Sequence, residues 1–417
     1  MSNGDDDPPH RLLIRDLAQV ATPGGRSVPL HGGQLGAVEL LENAYVLCEE
    51  GRITEVGPMG RLTSAAGEVE ELDGRGLSAV PGLVDCHTHA CFAGDRVDEF
   101  ALRAAGASYE ELHARGGGIL ATVRATRAAG EGGLALALER HVEWMLRAGT
   151  TTFEAKSGYG LDRETELAQL RAIRAAGGIP TWLGAHALPP EFAAAGVDAY
   201  LDFLLGEVLP DAAQLAEAAD VFLERGAFDV EQARRYLAAC RELGLELRLH
   251  GDQFTEAGAI PLAVELGARS VDHLESTGSV GIAALAASDV VGVLLPASAL
   301  FLGRPMPAAR AFVDAGAAIA LATDFNPGSA FCESLPLVCS LACTQLGLTP
   351  EEALSACTVN AAHVLARADR KGRLAPGFDA DVVLVAAHDW RYLAYHLGGA
   401  VVHTVVRDGR IAWNGRA

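Results

Sequence analysis

The chain has 417 residues, half of them hydrophobic, so it can bury a large core and is expected to form one large domain with a smaller one beside it. Its formal net charge of -21 argues against nucleic acid and against an anionic membrane surface as partners. The polar segment Met1–His10 has no signal-peptide pattern, no uncharged stretch combines the length and apolarity of a membrane span, and the eight cysteines include no CxxC pair. We therefore expect a cytoplasmic protein without a disulfide framework.

The residues before Pro81 predict short strands and turns. Two β-rich runs, Ala44–Cys48 and Arg52–Val56, are separated by the turn signal Glu50-Gly51. Residues 1–80 are not enough to form a sheet core alone, so they need a partner from elsewhere in the chain.

Residues 81–375 predict a (β/α)₈ TIM-type barrel of the α/β class. Short β-rich runs alternate there with helical patterns such as Glu164–Ala176 and Ala212–Ala219. This alternation is typical of parallel strands joined by crossover helices, and eight such strands favour a closed barrel. The predicted strands are Leu83–His87, Thr151–Lys156, Thr181–His186, Val221–Glu224, Leu247–His250, Ser270–His273, Val290–Leu295 and Ile319–Asp324.

The segment Val97–Gly130 is long for a connection between a strand and a helix. It contains the run Gly116-Gly117-Gly118. Loops of this length at the catalytic face of a barrel commonly form lids or substrate walls, which is the prediction here.

The residues after the barrel return to a strand pattern. Asp381–Val385 and Ala400–Val406 are β-rich, and Asp408-Gly409 is typical of a hairpin turn. We predict that residues 376–417 pair with residues 1–80 in one small β-sandwich domain built from both termini.

Five of the eight predicted barrel strands end in histidine or aspartate, and the carboxyl ends of barrel strands assemble the active site. His87 and His89 lie on the same side of an extended strand, because side chains alternate with period two. His250 and Asp324, at the ends of later strands, complete a set of four metal ligands. Three neutral nitrogens and one carboxylate suit a single Zn²⁺ or Fe²⁺ ion, which would activate water as the nucleophile.

The chain resembles the amidohydrolase superfamily along nearly its whole length, notably in Asp85–His89 and in Gly372–Gly377. Within that superfamily it is similar to the imidazolonepropionase family in four stretches: His89–Arg96, Lys156–Leu161, His186-Ala187 and Thr323–Ser329. The resemblance implies hydrolysis of the ring amide of 4-imidazolone-5-propanoate to N-formimidoyl-L-glutamate, the third step of histidine degradation. It also implies one divalent metal ion per chain and a homodimer.

A small anionic heterocycle of this kind needs a cation for its carboxylate tail. Arg96 could bind that carboxylate bidentately, although an exposed surface arginine is the alternative. The resemblance adds Tyr159 and His186 to the substrate set, while Tyr109 is the weakest candidate and is equally explained by loop packing. The loop after Asp324 offers further substrate contacts, unless it is only a turn that ends the last strand: Asn326, Gly328 and Ser329.

Gln253 departs from the family pattern, which often has glutamate at this position after His250. A glutamine can orient a substrate but cannot carry a proton, and the neighbouring Asp252 should point away. We therefore assign general acid and base duty to His273, with Asp324 taking a proton from the attacking water. The predicted catalytic residues are His273, Asp324 and Gln253.

Three other classes stay open. A mononuclear-metal heterocycle deaminase acting on guanine-like or cytosine-like rings would use the same ligands, but such enzymes commonly carry glutamate where Gln253 stands. A two-metal cyclic amidase would need Lys156 as a carboxylated ligand, although that lysine ends the second predicted strand and not the fourth. An inactive relative should lack a ligand or the proton carrier, and here all of them are present.

Overall fold

The computed structural model describes residues 10–25, 28–63, 68–106 and 117–415, and these contain two eight-stranded sheets. Strands β6 to β13 form one sheet and the remaining eight form the other. The strands are β1 Arg11–Pro23, β2 Val38–Glu49, β3 Arg52–Pro58, β4 Glu70–Asp73, β5 Ser78–Pro81, β6 Leu83–Asp85, β7 Thr150–Lys156, β8 Ile179–Ala185, β9 Ala218–Leu223, β10 Glu246–Gly251, β11 Ser270–His273, β12 Val291–Leu294, β13 Ile319–Leu321, β14 Val382–Val385, β15 Val402–Arg407 and β16 Arg410–Asn414.

Strands β6 to β13 are parallel and lie in sequence order, as a (β/α)₈ barrel requires. All eight predicted strands are present. The first and last are shorter than predicted, because β6 ends at Asp85 and β13 ends at Leu321. Beyond these ends the chain leaves extended conformation, and Asp324 has a φ of 56°.

The barrel closes just beyond its first and last strands. Thr88 and Phe325 form a parallel bridge, and the backbone N–H of Asp324 donates to the carbonyl oxygen of His87 over 3.1 Å. The N–H of His89 donates in turn to the carbonyl of Phe325 over 3.0 Å. The segments that carry three of the four predicted ligands, His87, His89 and Asp324, are therefore also the segments that close the ring.

Helices separate the barrel strands and extend beyond them. The predicted helix Glu164–Ala176 is present as Arg163–Ala175, and its N-cap Asp162 accepts from the N–H of Thr165. The prediction of a helix over Ala212–Ala219 is wrong in its second half, because an alanine-rich run fits a buried strand as well as a helix and its last two residues belong to β9. Within the described residues the α-helices are α1 Val97–Ala104, α2 Ile119–Arg147, α3 Arg163–Ala175, α4 Val197–Phe203, α5 Leu209–Leu215, α6 Val230–Glu242, α7 Ala259–Leu266, α8 Ser279–Ala286, α9 Pro296–Leu302, α10 Ala309–Asp314, α11 Leu335–Gln345, α12 Pro350–Ala356, α13 Val359–Val364 and α14 Tyr392–Tyr395.

The predicted long loop Val97–Gly130 is largely helical where it is described. Helix α1 occupies its start, and α2 begins at Ile119 and continues through a kink at Gly130, whose φ is 62°. Sequence analysis did not identify these two helices, since the glycine run obscured the helical pattern of the residues around it. Tyr109 lies outside the described residues. Among the residues described, no helix is both long enough and apolar enough to cross a membrane.

The second sheet combines strands from both ends of the chain, as predicted. Strand β1 pairs with β2 along most of its length, and it also pairs with β4 and β5 on its other side. Strand β5 then pairs with β14, which brings in the C-terminal strands. The hairpin turn between β15 and β16 has positive φ at Asp408 and Gly409, as a type I′ turn requires.

Sequence analysis did not identify β1, which is the longest strand of this sheet. A bulge interrupts its register between Ile14 and Leu17, and Asp16 has a φ of 56°. The charged pair Arg15-Asp16 at this bulge breaks the alternation of apolar and polar side chains, so the pattern predicted no continuous strand. Leu12, Ile14 and Leu17 are nevertheless buried in the hydrophobic core that side chains from the strands of this sheet form together.

Candidate metal centre and substrate pocket

A cavity of about 300 Å³ lies at the carboxyl ends of the barrel strands. All of the predicted site residues that the structure describes line it, except His87, which is buried below it. Six side chains that sequence analysis did not assign to the site also line the cavity: Glu99, Arg103, Ile119, Phe222, Phe254 and Leu302.

The four predicted metal ligands converge at the base of this cavity. The Nε2 atoms of His89 and His250 lie 3.2 Å apart. Asp324 Oδ1 lies 3.5 Å from His89 Nε2 and 3.6 Å from His87 Nε2. All four side chains are at least 96% buried.

These residues fit a divalent metal ion. Two ring nitrogens facing each other at 3.2 Å need either a proton or a cation between them, and Nε2 of His87 has no hydrogen-bond partner among the described residues. Burial lowers the pKa of His87 and His89 well below the usual range, so both imidazoles are neutral and keep a lone pair for a metal. Ligand atoms of His87, His89 and Asp324 lie within 4.8 Å of one another, which one ion could bridge.

Two buried carboxylates contact the Nδ1 atoms of two ligand histidines, His87 and His250. Asp272 Oδ2 lies 2.6 Å from His87 Nδ1, and Asp220 Oδ2 lies 3.0 Å from His250 Nδ1. A carboxylate at Nδ1 places the proton on that nitrogen and leaves Nε2 free as a ligand atom. Sequence analysis missed both aspartates, although each lies on a barrel strand.

His273 differs electrostatically from the other histidines of the site. It ends β11 with a φ of 86°, and its Nδ1 lies 3.4 Å from Glu275 Oε1. Burial by itself would lower the pKa of His273, but the charge and hydrogen bond of Glu275 outweigh it and raise that pKa. A histidine with a raised pKa is suited to carry a proton. Its ring is also close enough to His87 and His250 for the three to form a second possible metal-binding group.

Arg96 lines the cavity and is held by Glu99, a partner that sequence analysis missed. Its Nε donates to Glu99 Oε2 over 2.9 Å, and Nη2 donates to Glu99 Oε1. Because the N–H of Gly118 donates to the same carboxylate over 2.8 Å, the start of α2 is tied to this pair. The i, i+3 spacing of Arg96 and Glu99 at the start of α1 was the sequence signal that could have identified this ion pair.

Tyr159 and His186 lie together beside His89, with ring centroids 5.8 Å and 5.2 Å from its ring. The ring centroids of Tyr159 and His186 are 5.4 Å apart, and His186 Nδ1 is 3.0 Å from the carbonyl oxygen of Gly158. Burial lowers the pKa of His186 to about 3, so the ring is neutral. Both residues are therefore placed to contact a substrate as uncharged hydrogen-bonding groups.

Glu166 anchors the loop that carries Tyr159, and sequence analysis missed it. This fully buried carboxylate accepts from the backbone N–H groups of Gly158, Gly160 and Leu161 at 2.9–3.1 Å. It lies in the first turn of α3, where a glutamate is normally a solvated residue at a helix start. No pattern in the sequence distinguishes the buried Glu166 from a solvated glutamate at a helix start.

The loop after Asp324 is held by its own side chains. Asn326 Oδ1 accepts from the N–H groups of Gly328 and Ser329, both at 2.8 Å. Asn326 Nδ2 donates to the carbonyl of Asp324 and to Ser329 Oγ. The predicted substrate contacts of these residues stay a prediction, but the loop does line the cavity in a fixed conformation.

Gln253 and Asp252 point in different directions, as predicted. Gln253 lines the cavity. Asp252 accepts instead from the N–H of Ala257 and from Thr277 Oγ1, so it holds the loop that follows β10.

Comparison with known proteins places this site in a family. The family model described as the amidohydrolase family matches residues 78–412. The chain is 60% identical to an imidazolonepropionase of Rubrobacter xylanophilus over 95% of this chain and 97% of the relative, and 45% identical to one of Chloroflexus aggregans over 97% and 98%.

Solved structures show the same fold at lower identity. An adenosine deaminase from Xanthomonas campestris with bound zinc has a TM-score of 0.70 and 20% identity, covering 98% of this chain and 94% of that one. A triazine hydrolase from Arthrobacter aurescens has a TM-score of 0.70 and 19% identity over 98% and 96%. From its sequence relatives and its barrel alike, the chain belongs to the amidohydrolase family, within which it groups with the imidazolonepropionases.

Proposed function

We propose that the protein hydrolyses the ring amide of 4-imidazolone-5-propanoate to N-formimidoyl-L-glutamate, the third step of histidine degradation. The observation that carries this proposal is that a single cavity of about 300 Å³ is lined both by three of the four convergent metal ligands and by Arg96. A small ring with an anionic tail is the class of substrate that such a cavity accepts. The 60% identity to a curated imidazolonepropionase supports the same activity.

His87, His89, His250 and Asp324 would hold one divalent metal ion. When bound, the ion supplies Lewis-acid polarisation and lowers the pKa of water to near neutral. We propose zinc or ferrous iron, because three imidazole nitrogens and one carboxylate accept either metal and cellular supply decides between them.

Asp324 and His273 move the protons of the reaction. The water oxygen bonds to the ring carbonyl carbon, and Asp324 accepts the proton that this water loses. Nδ1 of His273 faces Glu275, so Nε2 is the atom that is left to donate towards the ring carbonyl. The amide C–N bond then breaks as the ring nitrogen takes up the proton that Asp324 accepted from the water. The proton that His273 donated towards the carbonyl oxygen returns to Nε2 as the new carbonyl forms.

The remaining residues of the cavity orient the substrate. Arg96 binds the propanoate carboxylate, which offsets the unfavourable effect of a net charge of -21 on an anionic ligand. Tyr159 donates a hydrogen bond to the substrate. His186 accepts one at Nε2, because the single N–H of its neutral ring is on Nδ1 and faces the carbonyl of Gly158. Gln253 orients the ring without taking part in proton transfer. Asn326, Gly328 and Ser329 complete the lining of the cavity and contact the bound substrate.

We also propose that the enzyme is cytoplasmic and acts as a homodimer. The cytoplasmic location is supported by eight cysteines that are all free thiols, six of them buried. Sedimentation and size-exclusion measurements of the purified protein would test the dimer.

The activity is tested with freshly generated imidazolonepropionate and metal-replete protein. We expect loss of the ring absorbance above the spontaneous rate, with formimidoylglutamate formed in equal amount. Metal-free protein and Asp324→Asn serve as controls and should show only spontaneous decay. Metal-bound protein without acceleration would refute the proposal, and ammonia release from guanine-like or cytosine-like rings would instead support the deaminase alternative.

A further inference from the structure

We propose that Lys156 is a positioning residue of the metal centre: its ammonium group holds Asp220 and Asp272, and through them the imidazoles of His250 and His87. The inference rests on the proposed metal-dependent hydrolysis, because it concerns the same four-ligand site. It assigns to Lys156 a role that differs from direct metal ligation and from contact with substrate.

The first observation is a fully buried layer of charged side chains inside the barrel. Lys156 Nζ lies 2.7 Å from Glu154 Oε1, 2.8 Å from Asp220 Oδ2 and 3.8 Å from Asp272 Oδ2. All four of these side chains have an exposed fraction of 0%. Water therefore does not solvate these charges, and each depends on its neighbours for stabilisation.

The second observation is that both aspartates reach a predicted metal ligand. Asp272 Oδ2 is 2.6 Å from His87 Nδ1. Asp220 Oδ1 accepts from the backbone N–H of His250 over 3.1 Å, while its Oδ2 faces His250 Nδ1. One ammonium group thus joins two carboxylate–imidazole pairs, and each pair sets which ring nitrogen is left for the metal.

Lysine suits this position better than arginine. The Nζ atom is a compact point charge with three donors, and here it approaches three carboxylates within 3.8 Å. A planar guanidinium is larger and would need more room in a fully buried layer. The chain otherwise uses arginine for nearly all of its positive charge, with Lys156 and Lys371 as its two lysines.

This arrangement argues against the two-metal alternative. A carboxylated lysine carries a negative charge and binds metal through its oxygens. Lys156 is instead surrounded by carboxylates, which stabilise the ammonium form and repel a carbamate. Lys156 therefore contacts the aspartates that face the ligand histidines, and it is not itself a metal ligand.

Arg248 provides a matched control within the same layer. It is 2% exposed, and its Nη1 donates to Glu154 Oε1 over 3.0 Å and to Thr181 Oγ1 over 2.8 Å. Among the described residues its ion pair is with Glu154, and no ion pair links it to Asp220 or Asp272. Removal of Arg248 therefore deletes a buried cation without releasing either aspartate that holds a histidine.

The experiment compares Lys156→Met with Arg248→Met. The dissociation constant for Zn²⁺ is measured on metal-free protein by competition with a chromogenic chelator, and folding is followed by circular dichroism. We expect Lys156→Met to weaken zinc binding about 10–100-fold, as loss of outer-shell partners does, while Arg248→Met changes it about twofold or less. Equal weakening in both variants, or wild-type affinity in Lys156→Met, would overturn the proposal.

A second variant covers the case in which Lys156→Met does not fold. Lys156→Met/Glu154→Gln removes one charge of each sign, so the layer keeps its net charge while both aspartates that face the ligand histidines stay in place. Weak zinc binding by the folded double variant supports the proposal. Wild-type affinity overturns it, and so does an unfolded double variant beside a folded Arg248→Met, because the role of Lys156 would then be barrel stability. Zinc alone is the probe, so the two proposals can fail separately. Wild-type protein that binds zinc tightly but does not hydrolyse imidazolonepropionate would refute the proposed function and leave this inference intact.

Discussion

Gly328 faces the guanidinium group of Arg96 so closely that no side chain fits between them. A Cβ atom at position 328 would collide with Nη1 of Arg96 and lie 3.0 Å from its Cζ. Glu99 fixes the other edge of the same guanidinium through Nε and Nη2. The orientation of the predicted carboxylate-binding residue therefore depends on a glutamate on one side and on the absence of a side chain on the other.

Gly328→Ala should displace Arg96 and raise KM about 10–100-fold, because a hydrogen bond to a charged group contributes about 1.5–3 kcal/mol. The rate constant kcat should change less, since the carboxylate tail lies away from the reacting carbonyl. Steady-state kinetics would measure both parameters. Gly60→Ala is the control, because a Cβ atom there meets nothing within 4 Å. An unchanged KM in Gly328→Ala would contradict the assignment of Arg96.

Glu166→Gln should loosen the loop that carries Tyr159. All three backbone N–H groups donate to Oε1, so in the variant they would share a neutral amide oxygen in place of a charged one. The amide nitrogen would replace Oε2 and turn a donor towards the N–H of Gly158, and an unsatisfied buried donor costs about 1–3 kcal/mol. We expect KM to rise about tenfold with unchanged zinc content. Glu352→Gln removes the ion pair that Glu352 of α12 forms with Arg310, so it should lower the melting temperature without raising KM. Equal kinetics of both variants would show that Glu166 only stabilises the fold.

His273→Ala should lower kcat about 10²–10⁴-fold, the usual loss when a general acid or base is removed. The variant should keep its metal, because the four predicted ligands are intact. Glu275→Gln should give a smaller decrease, since it removes the charge that raises the pKa of His273 and not the imidazole itself. Metal analysis accompanies the kinetics. Near-wild-type kcat with bound metal would refute the role of His273, and loss of the metal would place His273 among the ligands.

Removal of the metal should lower the thermal stability of the protein. A ligand that binds only the folded state stabilises it by about 4 kcal/mol at a thousandfold excess over Kd. We expect the chelated protein to unfold several degrees earlier in a calorimetric scan, with full recovery after one equivalent of Zn²⁺ per chain. A requirement for two equivalents would revive the two-metal alternative.

Asp379→Asn should destabilise the sheet domain in a pH-dependent way. The Asp379 side chain is 2% exposed and contacts Arg52, Arg370 and Lys371 at 2.7–3.0 Å. Burial alone would raise the pKa of Asp379, but these cations outweigh it and lower that pKa below 3.8. Because two of the three partners are nearly half exposed, we expect a loss of about 1–3 kcal/mol at pH 7.

The sign of the pH dependence follows from the lowered pKa. The contribution of Asp379 is complete above the pKa of the unfolded state and is lost as pH falls through the pKa of the folded state. The difference in unfolding free energy between wild type and Asp379→Asn should therefore be constant above about pH 5 and shrink below pH 4. Urea unfolding at a series of pH values measures it. A difference that grows in acid would contradict the assigned ion pairs.

Local patterns in the sequence were sufficient to predict the barrel and the positions of its polar strand ends. Apolar runs specify buried parallel strands wherever they fall, and the histidines that follow them have to meet at one end of the barrel. The Asp408-Gly409 turn was predictable for a similar reason, since positive φ at two successive residues is a local property. The bulged strand β1 and the helices around the glycine run were missed, because there the local pattern is interrupted.

The tertiary structure decided which groups surround the predicted site residues. His87 and Asp272 are 185 residues apart in the chain. In the sequence nothing distinguishes Asp272 from any other aspartate on a buried strand, and only the closed barrel brings it to His87. The same holds for Lys156, Glu166 and Glu275, because only the folded chain brings their hydrogen-bond and ion-pair partners within a few ångströms of them. Single residues and their spacing determine which ligands are available. The protonation and orientation of those ligands depend on Coulomb and hydrogen-bond interactions that fall off with distance in space and carry no trace in the linear pattern.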